Sequence, residues 1–197
     1  MTDKITIYYT QFYSFMSFLS LVFARQSVRK YTSSPVENEK LLRCLEAARL
    51  APSASNSQPW HYIVVDKEPL RTNVAKATFS ITVNFNKFSL QAPTIIVIVM
   101  EKPRLLNRIA MFLKHKEWRL IDIGLTAGHF CLQAAEEGLG TCMMGWYNEK
   151  KLKHLLSVPA GKSIALVISV GYAEENYPQR KKIRKTIDEI VSYNAFK

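Results

Sequence analysis

The sequence contains few of the residues from which metal and disulfide sites are built. Its three cysteines, Cys44, Cys131 and Cys142, are odd in number, widely spaced and in no CxxC pair. That pattern argues against a disulfide framework, a zinc site or an iron–sulfur cluster, and it fits a protein of the reducing cytoplasm. The four histidines form no HExxH or HxH pattern, so we expect no metal site.

Long apolar runs and the common nucleotide and nucleophile motifs are also missing. No run approaches the roughly 20 apolar residues that span a bilayer, so we expect no membrane partner. There is no GxSxG elbow, and VPAGKS at 158–163 lacks the first glycine of a P-loop, because position 156 is leucine. The lone pair Gly138 and Gly140 does not make a dinucleotide fingerprint. Nothing in the sequence therefore predicts a catalytic side chain or a P-loop.

Acidic residues are in the minority, which leaves a net charge of +11. Such a charge suits an anionic partner, whether nucleic acid, a membrane surface or a phosphorylated small molecule, and it also suits a merely solvated basic surface. A nucleic-acid-binding protein should interleave aromatic residues with cations on one face. Here the aromatic residues cluster in the N-terminal stretch and the strands. We keep nucleic-acid binding as a distant alternative and expect no nucleic-acid partner.

The chain of 197 residues is the length of one domain. Residues 1–15 are aromatic and polar, without periodicity, and lack the features of a signal peptide. We expect them to form an extension outside the fold, with a single domain over 16–197.

Hydrophobic periodicity predicts helices that alternate with buried strands. A capping box of Ser34, Pro35 and Glu37 predicts the start of one helix. The predicted helices are 16–24, 35–50, one from about Pro69, 119–137 ended by Gly138, and 149–156 capped by Asn148. The predicted strands are 62–65, 94–100 and 164–170. Because the order is not a regular βαβ series, we expect an α+β fold, with helices layered on a central sheet.

A stripe of small residues runs along the longest predicted helix. Small side chains let another helix approach closely, which suits ordinary core packing or a tight subunit interface. The stripe consists of Gly124, Ala127, Gly128, Cys131, Ala134 and Ala135.

Three segments suit a phosphorylated ligand. Arg25, Ser27 and Arg29 alternate, so in an extended chain they share one face, and arginine pairs well with phosphate oxygens. A basic turn at the surface explains this motif equally well. A cationic tail, RKKIRK at 180–185, adds five further cations. The segment SASNSQ at 53–58 is rich in short donors and acceptors, which suit a heterocycle or a polyol chain.

In this order the segments resemble the FMN-dependent nitroreductase family, over residues 17–194. The resemblance is carried by RQSVRKY at 25–31, APSASNSQPWHYIVV at 51–65, QAPTIIVIV at 91–99, DIGLTAGHFCLQAAEEGLGTCMMGW at 122–146 and the basic tail. It implies a nitroreductase-like α+β fold, with a central, mostly antiparallel sheet flanked by helices. It also implies an intertwined homodimer with two FMN sites at the subunit interface.

The resemblance also implies the residues that bind the cofactor. Those at the phosphate and ribityl end are Arg25, Gln26, Ser27 and Arg29. Those that reach the FMN held mainly by the other subunit are Pro52, Ser53, Ser55 and Asn56. Those beside the flavin ring are Asn86, through its amide, and Cys142, Met143, Met144 and Gly145, the last through its backbone N–H. Those that close on the phosphate or the pyrimidine edge are Lys182 and Arg184, with Lys185 as the alternative register.

The implied activity passes two electrons from NADH or NADPH to a small oxidant, such as a nitroaromatic or quinone, by ping-pong hydride transfer. The flavin carries the chemistry, so no catalytic side chain is expected. Reductive dehalogenation, ene reduction and flavin-consuming benzimidazole synthesis on the same scaffold remain alternatives. Met144 stands where some relatives have an acidic residue, and we expect this to alter how the pocket accepts nicotinamide or substrate. The basic stretch 102–119 predicts a preference for an anionic substrate or for the phosphates of the reductant.

Overall fold

The computed structural model of the protein describes residues 17–102 and 117–196. The expected extension at 1–15 and most of the basic stretch lie outside the described residues. The helices are α1 (Phe18–Ala24), α2 (Asn38–Arg49), α3 (Leu70–Ala75), α4 (Trp118–Glu136), α5 (Glu149–Leu155) and α6 (Ile187–Ile190). The strands are β1 (Trp60–Val65), β2 (Thr94–Met100), β3 (Gly140–Met144) and β4 (Ser163–Gly171). Short 3₁₀ turns occupy Ala54–Asn56 and Lys87–Gln91.

The four strands form one sheet in the order β1-β2-β4-β3, and each neighbouring pair is antiparallel. The expected α+β fold, with an antiparallel sheet flanked by helices, is confirmed. The central strand β2 matches its predicted bounds, and its residues from Thr94 to Val99 are buried. A continuous apolar run suits a strand that is covered on both faces.

Two apolar cores cover the two faces of the sheet. On one face α2 and α4 pack against residues such as Ile96 and Ile168, with Phe130 fully buried at the centre. On the other face Val97 and Val167 pack with Leu152 of α5 and with α3. Burial of apolar side chains on both faces stabilises the sheet and fixes which end of each strand meets which loop.

The end of α4 places β3 at the edge of the sheet. Gly138 adopts a φ of +74°, the left-handed conformation that glycine adopts without strain. The N–H of Leu139 donates to the Ala134 carbonyl, and the N–H of Gly138 donates to the Ala135 carbonyl. These two bonds form a Schellman motif, which confirms the predicted helix end and turns the chain directly into β3.

Two local features differ from the sequence predictions. The capping box at Ser34 is wrong, since α2 begins at Asn38 with Glu37 at its N-cap. The preceding chain stays extended because two hydrogen bonds tie it to Tyr172. The backbone N–H of Thr32 donates to the Tyr172 carbonyl, and the Tyr172 hydroxyl donates to the Glu37 carboxylate. The strand β3 was not predicted, because five residues after a helix give too short a pattern.

The register places the loops at opposite ends of the sheet. Trp60 pairs with Met100 at one end, while Gly140 pairs with Gly171 at the other. The polar loop at 52–58 leads into Trp60, whereas the segment 25–31 lies beside Thr141 near the far end. Among the helices that the structure describes, none has the length and apolarity needed to cross a bilayer.

Candidate cofactor site

The segment that carries Arg25, Ser27 and Arg29 is attached to the outer edge of β3. Ser27 forms a parallel bridge with Thr141, and the N–H of Val28 donates to the Thr141 carbonyl at 2.9 Å. Val28 is buried against Gly140, where a Cβ would lie 2.7 Å from the valine side chain. Glycine at 140 therefore permits the close approach that holds this segment extended.

The basic tail is tied to the same segment. The Gln26 side chain donates from Nε2 to the Pro178 carbonyl at 3.2 Å and accepts at Oε1 from the Arg180 N–H at 2.9 Å. Lys182 donates from Nζ to the Arg25 carbonyl. These contacts bring the cations of two distant stretches of sequence together, and they engage the Gln26 amide in holding the tail.

The cluster is positively charged without a compensating acid. Its members are Arg25, Arg29, Arg180, Lys182 and Arg184. Within residues 17–102 and 117–196, none of the five has a carboxylate oxygen within 4.0 Å of its charged nitrogens. Desolvation, and then repulsion from Arg25 and Arg184, lower the pKa of Lys182. Cations that lie close together without a carboxylate partner among the described residues have the charge that suits a phosphate-sized anion.

Cys142 lies beside this cluster but is not set up as a nucleophile. Its side chain is buried, and burial raises the pKa of the thiol, while the Arg29 charge and a hydrogen bond with Ser27 act in the opposite direction. A thiol with a raised pKa is protonated near neutral pH and is therefore unreactive.

Beyond Thr141 the outer edge of β3 is open. Since the Thr141 carbonyl faces the segment 25–31, alternation turns the backbone groups of Met143 and Gly145 to the same outer side. No other strand among the described residues pairs with this edge. A Cβ at Gly145 would meet no atom within 4 Å in the part of the chain that the structure describes. Open space and outward-facing backbone groups together suit the edge of a flat, hydrogen-bonding ring.

The two methionines of β3 face opposite sides. Met143 is 40% exposed, whereas Met144 is 2% exposed and packs in the core with Leu152 and Val167. In this structure the Met144 side chain faces the core, so any influence on a bound ligand would pass through its backbone.

Asn86 connects the open edge to a neighbouring loop. It is 5% exposed, and its Nδ2 donates to the carbonyls of Thr78 and Trp146, each at 3.1 Å. Both amide hydrogens are thereby used, so the side chain could offer a ligand only its carbonyl oxygen. The exposed rings of Phe85 and Trp146 lie beside it, with centroids 6.4 Å apart.

The polar loop with Pro52, Ser53, Ser55 and Asn56 lies far from the cations. It leads into Trp60 of β1, whereas the cations lie beside Thr141 of β3. These two residues are six residues apart along the strands, about 20 Å, and three strand spacings apart across the sheet, about 14 Å. One chain therefore brings Arg25, Gln26, Ser27, Arg29, Cys142, Lys182 and Arg184 together, but not the loop. Sequence reasoning did not single out Asp122, which contacts the loop, or Tyr177 and Arg180, which complete the cluster.

The fold and site define an α+β protein with a cluster of cations beside one edge of the sheet. Comparison with known proteins places it further: the model of the nitroreductase family matches residues 22–172. The chain belongs to the nitroreductase family, and it is therefore an oxidoreductase, as the resemblance implied.

Individual relatives cover most of the chain. A protein of Archaeoglobus fulgidus, provisionally named NADH dehydrogenase/NAD(P)H nitroreductase, is 30% identical over 162 residues, which cover 80% of this chain and 86% of the relative. A solved structure of an FMN-dependent nitroreductase from Clostridium difficile is 30% identical, with a TM-score of 0.71, and the match covers 90% of this chain and 99% of that one. An iodotyrosine deiodinase from Thermotoga neapolitana is 23% identical over 192 residues, covering 87% of this chain and 95% of the relative.

Proposed function

We propose that this protein is an NAD(P)H-dependent FMN oxidoreductase that reduces small oxidants, such as nitroaromatics or quinones. One observation carries the proposal: cations that have no carboxylate partner within residues 17–102 and 117–196 lie together where the outer edge of β3 begins. The cation cluster would bind a phosphate, and the exposed backbone groups of β3 would hydrogen-bond to a planar ring beside it. The C. difficile relative is named for FMN and the A. fulgidus relative for NAD(P)H.

The residues present fit FMN. In the proposal the phosphate and ribityl end lies on Arg25, Ser27 and Arg29, with Lys182 and Arg184 closing from the tail. The ring lies along the outer edge of Cys142, Met143, Met144 and Gly145, near the side-chain oxygen of Asn86. FMN, when bound, supplies hydride transfer from nicotinamide to the oxidant, in a ping-pong sequence. The side chains bind and orient it, and none acts as an acid or base.

The proposal includes a homodimer, because the polar loop and the cation cluster of one chain lie at opposite ends of the sheet. A second copy would bring Pro52, Ser53, Ser55 and Asn56 to the cofactor. Helix α1 supports this: it buries none of its residues, and Phe18, Leu19 and Phe23 are each more than 60% exposed. On α4, a Cβ at Gly124 or Gly128 would meet no atom of the described residues within 4 Å, and Ile121 is 62% exposed. Apolar helix faces of this kind are covered by a partner in stable assemblies.

A cytoplasmic location forms part of the proposal. The three cysteines are free and buried. Unpaired thiols suit a reducing compartment.

Reductive dehalogenation is the second candidate, favoured by the similarity to the T. neapolitana protein, which is named a deiodinase. To separate the two activities, iodide release from iodotyrosine and reduction of a nitroaromatic are measured with the same reductant.

The experiment is a visible spectrum of the purified protein, followed by NADH or NADPH without oxygen. Flavin absorption near ~450 nm that bleaches on addition supports the proposal and identifies the reductant. A colourless protein that takes up no added FMN overturns it, and salt-sensitive DNA binding by such a protein would favour the nucleic-acid alternative.

A further inference from the structure

The polar loop adopts a backbone that its residues do not favour by themselves. Ser55, Asn56 and Gln58 have φ values of 51°, 49° and 46°. Side chains with a Cβ rarely occupy this left-handed region, and several such residues in one loop persist only when their surroundings hold them.

Most bonds that hold the loop come from within it. The N–H of Gln58 donates to Ser53 Oγ at 3.0 Å, and Gln58 Nε2 donates to Asn56 Oδ1 at 2.9 Å. Such local bonds close the turn but do not fix its direction relative to the sheet.

Asp122 of α4 provides the anchor from outside the loop. Its Oδ1 accepts from the Ala54 N–H at 3.0 Å, and its Oδ2 lies 3.5 Å from the Ser57 hydroxyl. The residue is 3% exposed, and no Lys or Arg of the described residues lies within 4.0 Å of its carboxylate. A buried carboxyl is costly unless it is hydrogen-bonded, so this side chain and the loop depend on each other.

We infer that Asp122 is a positioning residue: it orients the polar loop of one chain toward the cofactor held by the other. The inference rests on the proposed function. Asp122 does not touch the cofactor in this account, and it acts through Ala54 and Ser57. Its loss should therefore weaken FMN binding by more than its effect on the fold explains.

Thr126 offers a matched control one turn further along the same helix. It is also buried, and its hydroxyl bonds to the Ala48 carbonyl at 2.7 Å and to Tyr62 at 2.8 Å, away from the loop. Thr126→Val removes buried hydrogen bonds of α4 without touching residues 52–58. It reports what a purely structural loss does to cofactor affinity.

The experiment compares wild type, Asp122→Ala, Asp122→Asn and Thr126→Val by thermal unfolding and by FMN titration. We expect Asp122→Ala to weaken FMN affinity about tenfold or more, as loss of a hydrogen bond to a charged group would. Asp122→Asn keeps an acceptor for Ala54 and should stay within about threefold of wild type. Thr126→Val should unfold at a lower temperature with unchanged affinity. The inference is overturned if Asp122→Ala binds FMN as tightly as wild type does. It is also overturned if Thr126→Val loses as much FMN affinity as Asp122→Ala.

A second readout needs no cofactor. Hydrogen–deuterium exchange of the FMN-free protein should show faster exchange at 53–58 in Asp122→Ala than in Thr126→Val. Equal exchange at 53–58 in the two variants overturns the inference. This comparison decides the question even if Asp122→Ala is too unstable for FMN titration. A wild-type protein that takes up no FMN contradicts the proposed function, while exchange still tests whether Asp122 holds the loop.

Discussion

The backbone N–H of Arg29 donates a hydrogen bond to the phenolic oxygen of Tyr177, 3.1 Å away. The same oxygen accepts from the Arg180 guanidinium at 3.0 Å. One hydroxyl thus joins the segment 25–31 to the basic tail, although the two lie almost 150 residues apart in the chain. The cluster of cations is therefore assembled by tertiary contacts and is not a property of either stretch alone.

Tyr177→Phe tests this joint. The change keeps the ring and removes only the hydroxyl, so Arg29 and Arg180 lose a shared acceptor. We expect FMN affinity to fall about three- to tenfold, with a small change in melting temperature, because the lost bonds are partly solvent-exposed. Tyr193→Phe, at an exposed position further along the tail, is the control. Unchanged affinity in Tyr177→Phe would show that the tail is held by other contacts.

The core around Phe130 makes a stability prediction. Phe130 is 0% exposed and stacks on Tyr62 with ring centroids 6.2 Å apart. Truncation to alanine leaves a cavity and should lower the free energy of unfolding by about 3–5 kcal/mol. Leu42→Ala, at a position that is 62% exposed, should change it by less than about 0.5 kcal/mol. Denaturant unfolding of the two variants measures the difference, and similar losses would contradict the assigned core.

The pair Arg43–Glu137 makes a prediction about acid stability. A hydrogen bond from Arg43 at 2.7 Å holds the pKa of the Glu137 carboxyl below its ordinary value of 4.5, against partial desolvation. Because the pKa of Glu137 is lower in the folded state than in the unfolded chain, the ionised carboxylate stabilises the fold. This contribution is fully present when the pH is above the unfolded-state pKa. It is lost as the pH falls through the lowered folded-state pKa.

Glu137→Gln should therefore flatten the fall in unfolding free energy below about pH 5, and cost less than about 1 kcal/mol at neutral pH. Glu136→Gln, on the exposed side of the same turn, is the control. Unfolding curves between pH 3 and 7, as a rough working range, measure both. An acid slope in Glu137→Gln equal to wild type would count against the ion pair.

Mixed dimers test whether each site is shared between two chains. Arg29→Glu should destroy the cation cluster, and alanines at Ser53, Ser55 and Asn56 should destroy the loop contacts. A dimer with one chain of each kind contains one site with both defects and one site that is intact. We expect co-refolded mixtures to recover FMN binding that neither variant shows alone, up to about one site per mixed dimer. Mixtures that dimerise and recover no binding would contradict a shared site.

The parts of the fold that follow a strong local pattern were predictable from the sequence. The strand 94–100 is apolar from Ile95 to Met100, so its bounds could be predicted without tertiary information. Asn148 and Gly138 mark the start of one helix and the end of another through local capping. The start of α2 was not predictable in this way, because Ser34 has the right neighbours for a cap. The contact between Glu37 and Tyr172, distant in sequence, decides the helix start instead.

Some residues of the site were also predictable from local sequence, and others were not. Arg25, Ser27 and Arg29 alternate in the sequence, so their shared face could be predicted once the segment was taken as extended. Tyr177 and Arg180 could not be assigned, since nothing local shows which strand the tail returns to. Asp122 carried a weak signal: it is the one acidic residue between 118 and 135, a stretch in which Arg119 is the one Lys or Arg.

The most direct test of the account compares the affinity of wild-type protein for FMN with that for riboflavin, which has the same ring and no phosphate. If the cation cluster holds the phosphate, FMN should bind at least about a hundredfold more tightly at low salt, and added salt should narrow the gap. Equal affinities at low salt, or a preference for riboflavin, would contradict the central claim that these cations form the phosphate site.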